Sequence, residues 1–144
     1  DVYNKTLDNK ASDSAYDRSL EIDSNNVYVL NNYSYYLSLR KENLEKAERM
    51  SRRANEKTPN NDSYQDTYGW ILYQMQRYEE AKKWLGRALE NGGKNNSTIL
   101  EHYGDVLYKM GETEKAFEIW NEAKQKGSGS EFLNKKVADK KFYE

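Results

Sequence analysis

Small residues recur along this chain at a nearly constant interval. One series of alanines has steps of 34 and 35 residues, and a second series has the same two steps. The two series are Ala47, Ala81 and Ala116, and Ala54, Ala88 and Ala123. Two parallel series with one period seldom arise by chance, so the chain is predicted to repeat one structural unit. In such an array each unit packs mainly against its neighbours.

The unit between residues 62 and 96 shows what is repeated. Its apolar residues follow helical spacing in two halves, which a polar turn at Gln76 and Arg77 separates. They are Tyr64, Tyr68, Ile71, Leu72 and Met75 in the first half, and Ala81, Trp84, Leu85, Ala88 and Leu89 in the second. Gly69 and Ala81 are small where two antiparallel helices must approach closely. The unit is therefore predicted to be a pair of antiparallel helices.

A helical hairpin with this period and this skeleton of aromatic and small residues resembles the tetratricopeptide repeat (TPR) family, whose repeat has about 34 residues. The central unit carries the family's small glycine at Gly69, its tyrosine at Tyr78 and its alanines at Ala81 and Ala88. It has Gly93 in place of the usual closing proline. The resemblance implies an all-α fold of bacterial TPR type: a right-handed superhelical solenoid of antiparallel helix pairs with a C-terminal capping helix.

The period also divides the chain, which is interpreted as a single domain. The predicted parts are a truncated repeat over 1–26, repeats over 27–61, 62–96 and 97–130, and a capping helix over 131–144. The first part lacks the start of its leading helix, so Val2, Tyr3 and Leu7 are expected to form only a frayed turn. This indicates a fragment of a longer protein; the alternative is an ordinary disordered N-terminus.

The second repeat differs from the others in its turn. Ser34 to Ala47 spans one residue more than the matching positions later in the chain, so an extra residue is expected within 40–43. In the helix that follows, two pairs have i,i+4 spacing, namely Glu45 with Arg49 and Glu48 with Arg52. Charges in that pattern are predicted to form a solvent-exposed face.

The end of the chain is predicted to close the stack. Ser128 with Glu131 reads as a capping box that opens a final helix, although an artificial GSGS linker is an alternative. The apolar positions Phe132, Leu133 and Val137 would cover the last repeat. Four lysines are expected on the solvent-exposed face of this helix, namely Lys135, Lys136, Lys140 and Lys141. A solenoid needs such a polar end.

Composition excludes several classes of function. The chain has 23 basic and 24 acidic residues and a net charge of -1, so it offers no basic stripe for nucleic acid. It has no cysteine, which removes disulfides and thiolate sites but leaves cytoplasm and bacterial periplasm equally open. No apolar run approaches the length of a membrane span, so membrane insertion is not expected.

Catalytic motifs are also missing from the sequence. His102 is the single histidine, and neither a zinc motif, a glycine-rich phosphate loop nor a nucleophilic serine motif occurs. Asp66 and Glu101 could in principle act as general acid and base, but such carboxylate pairs occur in any acidic groove. The sequence therefore predicts no active site, no metal and no cofactor within these residues.

The resemblance implies where a partner would bind. In this family the second, fifth, ninth and twelfth positions of successive first helices line a concave groove. The candidate groove residues here are Tyr28, Asn31, Tyr35, Asp66, Trp70, Tyr73, Glu101, Asp105 and Tyr108. Such a groove would be aromatic and acidic, and would favour a partner that carries lysine, arginine or aromatic residues. The alternative is that several of these side chains simply pack between repeats.

The same positions argue against one family function. Members that bind acidic chaperone tails use a lysine at the fifth position, where this chain has Asn31, Asp66 and Glu101. The expected function is a protein–protein interaction scaffold that binds a peptide or protein segment. The alternatives are a self-association module acting through the solenoid ends, and a regulatory region of a larger protein with an upstream catalytic domain.

Overall fold

The computed structural model describes residues 2–127 and 129–144, with side chains from residue 7 onward. All regular elements among these residues are helical, as the sequence predicts. The helices are α1 (Val2–Ile22), α2 (Val27–Arg40), α3 (Leu44–Lys57), α4 (Asp62–Gln74), α5 (Tyr78–Glu90), α6 (Ser97–Lys109), α7 (Thr113–Lys126) and α8 (Leu133–Asp139), with a 3₁₀ turn at Gly93–Asn95. The pairs α2–α3, α4–α5 and α6–α7 pack against each other along the stack. None of the described helices is both long and apolar enough to cross a membrane.

Helix α1 differs from the sequence prediction. Val2, Tyr3 and Leu7 were expected in a frayed turn, but the backbone is one continuous helix. The stretch contains no glycine or proline, so nothing in it interrupts a helix that has already begun. Tyr16 attaches this helix to α2, because its ring stacks on that of Tyr33 with centroids 5.1 Å apart.

The first helix of each pair begins after an asparagine. These residues are Asn26, Asn61 and Asn96, which are spaced 35 residues apart. In each case the side-chain Oδ1 accepts a hydrogen bond from the backbone N–H three residues later, at 2.9–3.2 Å. An asparagine cap of this kind contributes about 1 kcal/mol to a helix. The caps therefore set the same starting point for α2, α4 and α6.

The turn inside each pair is also repeated. A residue with positive φ follows the first helix at Lys41, Gln76 and Gly111. The backbone N–H of the next residue then donates to the carbonyl oxygen of Leu37, Leu72 or Leu107, which satisfies a group at the helix end. In the first pair Asn43, with φ 46°, stands as the extra residue immediately before α3. The longer turn therefore leaves the pairing of α2 with α3 intact.

The core lies where the two helices of each pair approach most closely. All six alanines of the two repeating series are fully buried. A Cβ atom on Gly69 would lie 2.7 Å from Cγ of Leu85, and one on Gly104 would lie 2.5 Å from Cδ1 of Trp120. Real Cβ atoms do not come this close to other heavy atoms, so large side chains of the second helix pack on bare backbone of the first.

Glu48 is the exception on the predicted solvent-exposed face of α3, where Glu45, Arg49 and Arg52 are exposed. Its side chain accepts hydrogen bonds from the Tyr68 hydroxyl at 2.9 Å and from the Arg52 guanidinium at 2.8 Å. Only 8% of Glu48 is exposed, because α4 of the next pair packs over this side of α3. The i,i+4 pair with Arg52 does form, but it lies at an interface between repeats.

The end of the chain is also different from the prediction. The final helix, α8, is shorter than the expected 131–144, and Ser128 of the predicted capping box lies outside the described residues. Leu133 is fully buried against the last repeat. Lys136 was expected on the wet outer face, but only 3% of it is exposed. Lys136 is buried because it forms ion pairs with two acidic side chains of α6, Glu101 and Asp105.

The close contact at Gly104 generates the first testable prediction. We expect Gly104→Ala to destabilise the chain by about 1–3 kcal/mol, because the added methyl group would displace Trp120 from a filled core. Gly86→Ala is the matched control, since a Cβ at this helical glycine meets nothing within 4 Å. The control should be neutral or more stable by up to about 1 kcal/mol. Urea unfolding measures both, and equal free energies of unfolding would contradict the close approach.

Candidate functional site

The first helices α2, α4 and α6 form one face that borders two adjoining cavities. The larger, of about 770 Å³, lies between Tyr35, Trp70 and the segment 129–144; we call it the C-terminal pocket, and the segment the tail. The smaller, of about 440 Å³, lies beside Asn31 and Asp66. Tyr35 and Thr98 line both cavities, so the two are parts of one groove.

Five of the nine predicted groove residues lie on α2 or α4, along the groove or at its edge. Tyr35 and Trp70 are half-buried and line the C-terminal pocket, while Asn31 and Asp66 are buried at the wall of the smaller cavity. Tyr28 is 72% exposed and lines neither cavity. The side chains accessible to a partner are therefore mainly those of Tyr35 and Trp70.

The other four predicted residues are covered by neighbouring side chains. Tyr73 is only 4% exposed, and its ring lies against that of Trp70. Glu101 and Asp105 belong to the lining of the C-terminal pocket, but each is only 3% exposed and is bound to Lys136 of α8. Tyr108 is half-buried, and the ring of Phe142 from the tail stacks on it with centroids 5.8 Å apart. Packing between elements thus accounts for these four side chains.

Trp70 is held between two other rings. The centroid of its ring lies 4.5 Å from that of Tyr73 and 3.9 Å from that of His102, and both neighbours are nearly parallel to it. Tyr73 is three residues further along α4, so helical spacing places it under Trp70. A ring fixed in this way loses little side-chain freedom when a partner binds. The two stacked neighbours therefore fix the orientation of the Trp70 ring.

Asp66 already has a partner within the chain. Nδ1 of His102 lies 2.8 Å from Oδ1 of Asp66. Burial lowers the pKa of His102, but Asp66, together with the more distant charges of Asp105 and Glu101, outweighs burial and raises the pKa above its ordinary value. A protonated His102 stacked on Trp70 also gains a cation–π interaction. The only histidine of the chain thus hydrogen-bonds to an acid inside the groove, and it neutralises that acid when it is protonated.

Glu101 and Asp105 share a cation from the tail. Nζ of Lys136 lies 2.7 Å from Oε2 of Glu101 and 2.8 Å from Oδ1 of Asp105. Glu101 also accepts hydrogen bonds from the backbone N–H and the hydroxyl of Ser130, and Asp105 accepts one from Nε1 of Trp120 at 3.0 Å. The buried acids at the base of the groove are therefore hydrogen-bonded and largely neutralised.

The two carboxyl groups respond differently to this setting. Burial raises the pKa of Asp105 to about 6, although Lys136 acts in the opposite direction. Burial would also raise the pKa of Glu101, but the hydrogen bonds from Lys136 and Ser130 outweigh it and the pKa is lowered. Glu101 is the more strongly bound of the two, because it receives donors from two residues of the tail.

A repeated signal in the sequence could have revealed these pairs. Asp66 and Glu101 are 35 residues apart, and His102 and Lys136 are 34 residues apart. Asp66 on α4 and Glu101 on α6 are therefore each paired with a basic side chain two helices further along the chain, on α6 and α8. The helical pattern alone assigned Lys136 to the surface, because it did not show that α8 lies over α6.

Asp66 and Glu101, considered as an acid–base pair, hydrogen-bond to different basic side chains. Among the described side chains, 7–127 and 129–144, no group of three or more histidine or acidic side chains is placed to hold a metal ion. What the groove does offer is aromatic surface beside a set of internally paired charges.

Lys136 generates a prediction about stability. We expect Lys136→Ala to lower the free energy of unfolding by about 3–5 kcal/mol, because two buried carboxylates would lose their cation. Lys135→Ala is the control: that exposed lysine lies over the ring of Tyr143 and should cost less than about 1 kcal/mol. Urea unfolding of both variants provides the comparison. If both lose the same amount, the buried pairs do not stabilise the fold.

His102 generates a prediction about pH. In a tag-free chain, NMR titration of this single histidine should give a midpoint above about 6.5, and Asp66→Asn should lower it. The pair then contributes stability that is complete below the unfolded pKa of about 6.5 and is lost as pH rises through the higher folded pKa. Glu114→Gln, at an exposed position on α7, should leave the midpoint unchanged. A parent midpoint below about 6.5 would refute the charged pair.

Comparison with known proteins rests on structure. No protein-family model and no curated protein sequence matches the chain. Among solved structures, it is similar to PilF of Pseudomonas aeruginosa, with 25% identity and a TM-score of 0.74 over 96% of this chain and 64% of that one. The chain therefore spans less than two thirds of the length of PilF.

Two further solved structures are similar to this chain. YrrB, described as a TPR protein with an unusual peptide-binding site, has 16% identity and a TM-score of 0.68 over 96% of this chain and 71% of that one. The Sgt2 TPR domain from Aspergillus fumigatus has 17% identity and a TM-score of 0.70 over 79% and 76%. The chain therefore has the fold of the tetratricopeptide-repeat proteins, a helical-repeat solenoid.

Proposed function

We propose that this chain is a non-catalytic interaction scaffold that binds a peptide or protein segment in the groove of α2, α4 and α6. The observation that carries the proposal is the C-terminal pocket, where half-buried Tyr35 and Trp70 border a cavity of about 770 Å³. Ligand sites in proteins are typically concave, about 300–1,000 Å³ in volume, and lined by aromatic groups. The fold supports the same function, since TPR-type solenoids present such faces to protein partners.

Aromatic side chains are the proposed anchors of binding. Tyr35 and Trp70 offer large contact areas, and the stack of Trp70 between Tyr73 and His102 keeps its ring in place before a partner arrives. Tyrosine and tryptophan are enriched among the few interface residues whose removal costs about 2 kcal/mol or more. Binding energy is therefore expected to concentrate at these two residues.

The acids are expected to contribute less to binding than the aromatic side chains. Asp66, Glu101 and Asp105 were expected to face positive charges on the partner, but each is bound to a basic side chain of the chain itself. A partner would have to displace His102 or Lys136 to reach them directly. We therefore assign them to the support of the groove, and the aromatic side chains to contact with the partner.

The similar structures give limited support to peptide binding. The description of YrrB names a peptide-binding site, and that site is a property of YrrB. Its fold matches nearly the whole of this chain, so the same kind of ligand is a reasonable first choice for an experiment. PilF and Sgt2 add support for the fold only.

A peptide selection tests the proposal. Binders would be selected on the immobilised chain from a phage-displayed library of random dodecapeptides, and their affinities measured by fluorescence anisotropy. Trp70→Ala and Tyr35→Ala should each weaken binding about 30-fold, equivalent to about 2 kcal/mol. Asp66→Asn should weaken it by no more than about fivefold.

Tyr28→Ala is the matched control on α2, because Tyr28 is exposed but lines neither cavity. Circular dichroism would confirm that each variant is folded. Trp70→Phe keeps an aromatic ring at this position, so it separates the effect of losing the indole from the effect of losing the packed ring. If folded Trp70→Ala and Tyr35→Ala bind like the parent, the groove is not the site. Sedimentation of the chain would then test self-association through the ends of the stack.

A further inference from the structure

The C-terminal pocket has two walls that come from distant parts of the sequence. One wall is formed by Tyr35 and Leu39 of α2 with Trp70 of α4. The other wall is formed by the tail, which includes the aromatic side chains of Phe132 and Phe142. A repeat alignment places only the first wall in the groove, so the second wall is a feature that the tertiary structure adds.

The tail is attached to the groove at several points. Ser130 donates two hydrogen bonds to Glu101, and Lys136 binds the same carboxylate from α8. Further along, Phe142 packs on Tyr108 and lies within reach of Lys109, whose Nζ is 4.3 Å from the ring centroid. These contacts attach α8 and the segments before and after it to α6, so the tail is an ordered part of the pocket lining.

This wall limits how a partner can enter. The tail covers Glu101, Asp105 and Tyr108, which are the groove positions of the last repeat. An extended segment that runs the full length of the concave face would collide with it. A side chain that projects from a turn or a chain end can instead enter the cavity between Trp70 and Phe142.

The free charges around the pocket are mostly negative. Lys136 and His102 are occupied by buried acids, which leaves Lys41, Glu131 and Glu144 as the exposed charged residues on the pocket lining. Among the described residues, neither glutamate has a hydrogen-bonded or ion-pair partner within its own chain. Burial, Asp105 and Glu144 all raise the pKa of Tyr73, which is consistent with negative potential on this side of the groove.

We infer that the partner inserts one bulky apolar or aromatic side chain between Trp70 and Phe142, and carries an adjacent lysine or arginine that faces Glu131 and Glu144. This inference rests on the proposed function and defines its ligand more narrowly. Phe142 and the two glutamates are then the specificity-determining residues, and all three belong to the tail. The charge that selects the partner is thus separate from the buried acids that hold the groove together.

Three synthetic tripeptides separate the apolar requirement from the charge requirement. They are Ac-Lys-Phe-Lys-NH2, Ac-Glu-Phe-Glu-NH2 and Ac-Lys-Ala-Lys-NH2. Their binding to the full chain would be followed by NMR at the indole N–H signals of Trp70, Trp84 and Trp120. We expect the first peptide to shift the Trp70 signal and to bind about tenfold more tightly than either of the others. Trp84 is the internal control, because it packs against Tyr68 and lines neither groove cavity.

Charge reversal tests the role of the tail without disturbing its packing. The double variant Glu131→Lys with Glu144→Lys changes only exposed side chains and should make Ac-Glu-Phe-Glu-NH2 the preferred peptide. The control is Glu114→Lys with Glu118→Lys on the exposed side of α7, which should keep the original preference. Phe142→Ala should weaken Ac-Lys-Phe-Lys-NH2 about tenfold, with circular dichroism as the test of folding.

The outcomes distinguish this inference from the proposed function. If the glutamate peptide binds the parent as tightly as the lysine peptide, or if charge reversal leaves the preference unchanged, the inference is wrong. The same holds if none of the tripeptides moves the Trp70 signal while library-selected peptides bind through Trp70, and the proposed function then stands. If library-selected peptides bind both Trp70→Ala and Tyr35→Ala with the affinity of the parent, the proposed function itself is wrong.

Discussion

The contact between Trp120 and the bare backbone of Gly104 connects the core of this protein to its groove. Because Gly104 has no side chain, the indole of Trp120 reaches across α6, and its Nε1 donates to Asp105 on the groove side. Asp105 in turn binds Lys136, which brings α8 onto α6. One close approach between helices thus leads through a hydrogen bond and an ion pair to the tail that forms a wall of the pocket.

The groove neutralises its own buried charges by a repeating device. Asp66 on α4 is paired with His102 on α6, and Glu101 on α6 is paired with Lys136 on α8. Burying a carboxylate is costly unless a cation and hydrogen bonds accompany it. Each acid therefore favours a fold in which the helix that carries its basic partner packs beside it. The acids therefore act on the fold as well as on the surface. What remains for a partner is the aromatic surface and the exposed charges of the tail.

Repetition determines the local structure as well as the core. The asparagine caps before α2, α4 and α6 and the positive-φ residues after them recur at the same 35-residue interval. Each pair therefore begins and turns in the same way, and the extra residue Asn43 is absorbed outside these contacts. The result is a regular face of first helices, which is what a continuous groove requires.

The sequence by itself determined the helical pairs, because alanines at a fixed period and apolar residues at helical spacing describe contacts between neighbours in the chain. Ala81, Ala88 and Leu85 are buried as their spacing predicts. The resemblance to the tetratricopeptide repeat family, applied through the period, placed Tyr35 and Trp70 at groove positions, and both line the C-terminal pocket; whether a partner contacts them is a proposal. The continuous course of α1 and the burial of Glu48 were missed, because neither follows from apolar periodicity.

Only the tertiary structure decided the charges and the shape of the site. Lys136 looks like a surface residue in its helical pattern, and it becomes buried because α8 brings it to Glu101 and Asp105, more than 30 residues earlier. Phe142 closes the pocket for the same reason, since its position depends on where the tail crosses α6. Periodicity reports which face of a helix is apolar. It does not report which distant charge meets that face, because this depends on how the elements pack in three dimensions.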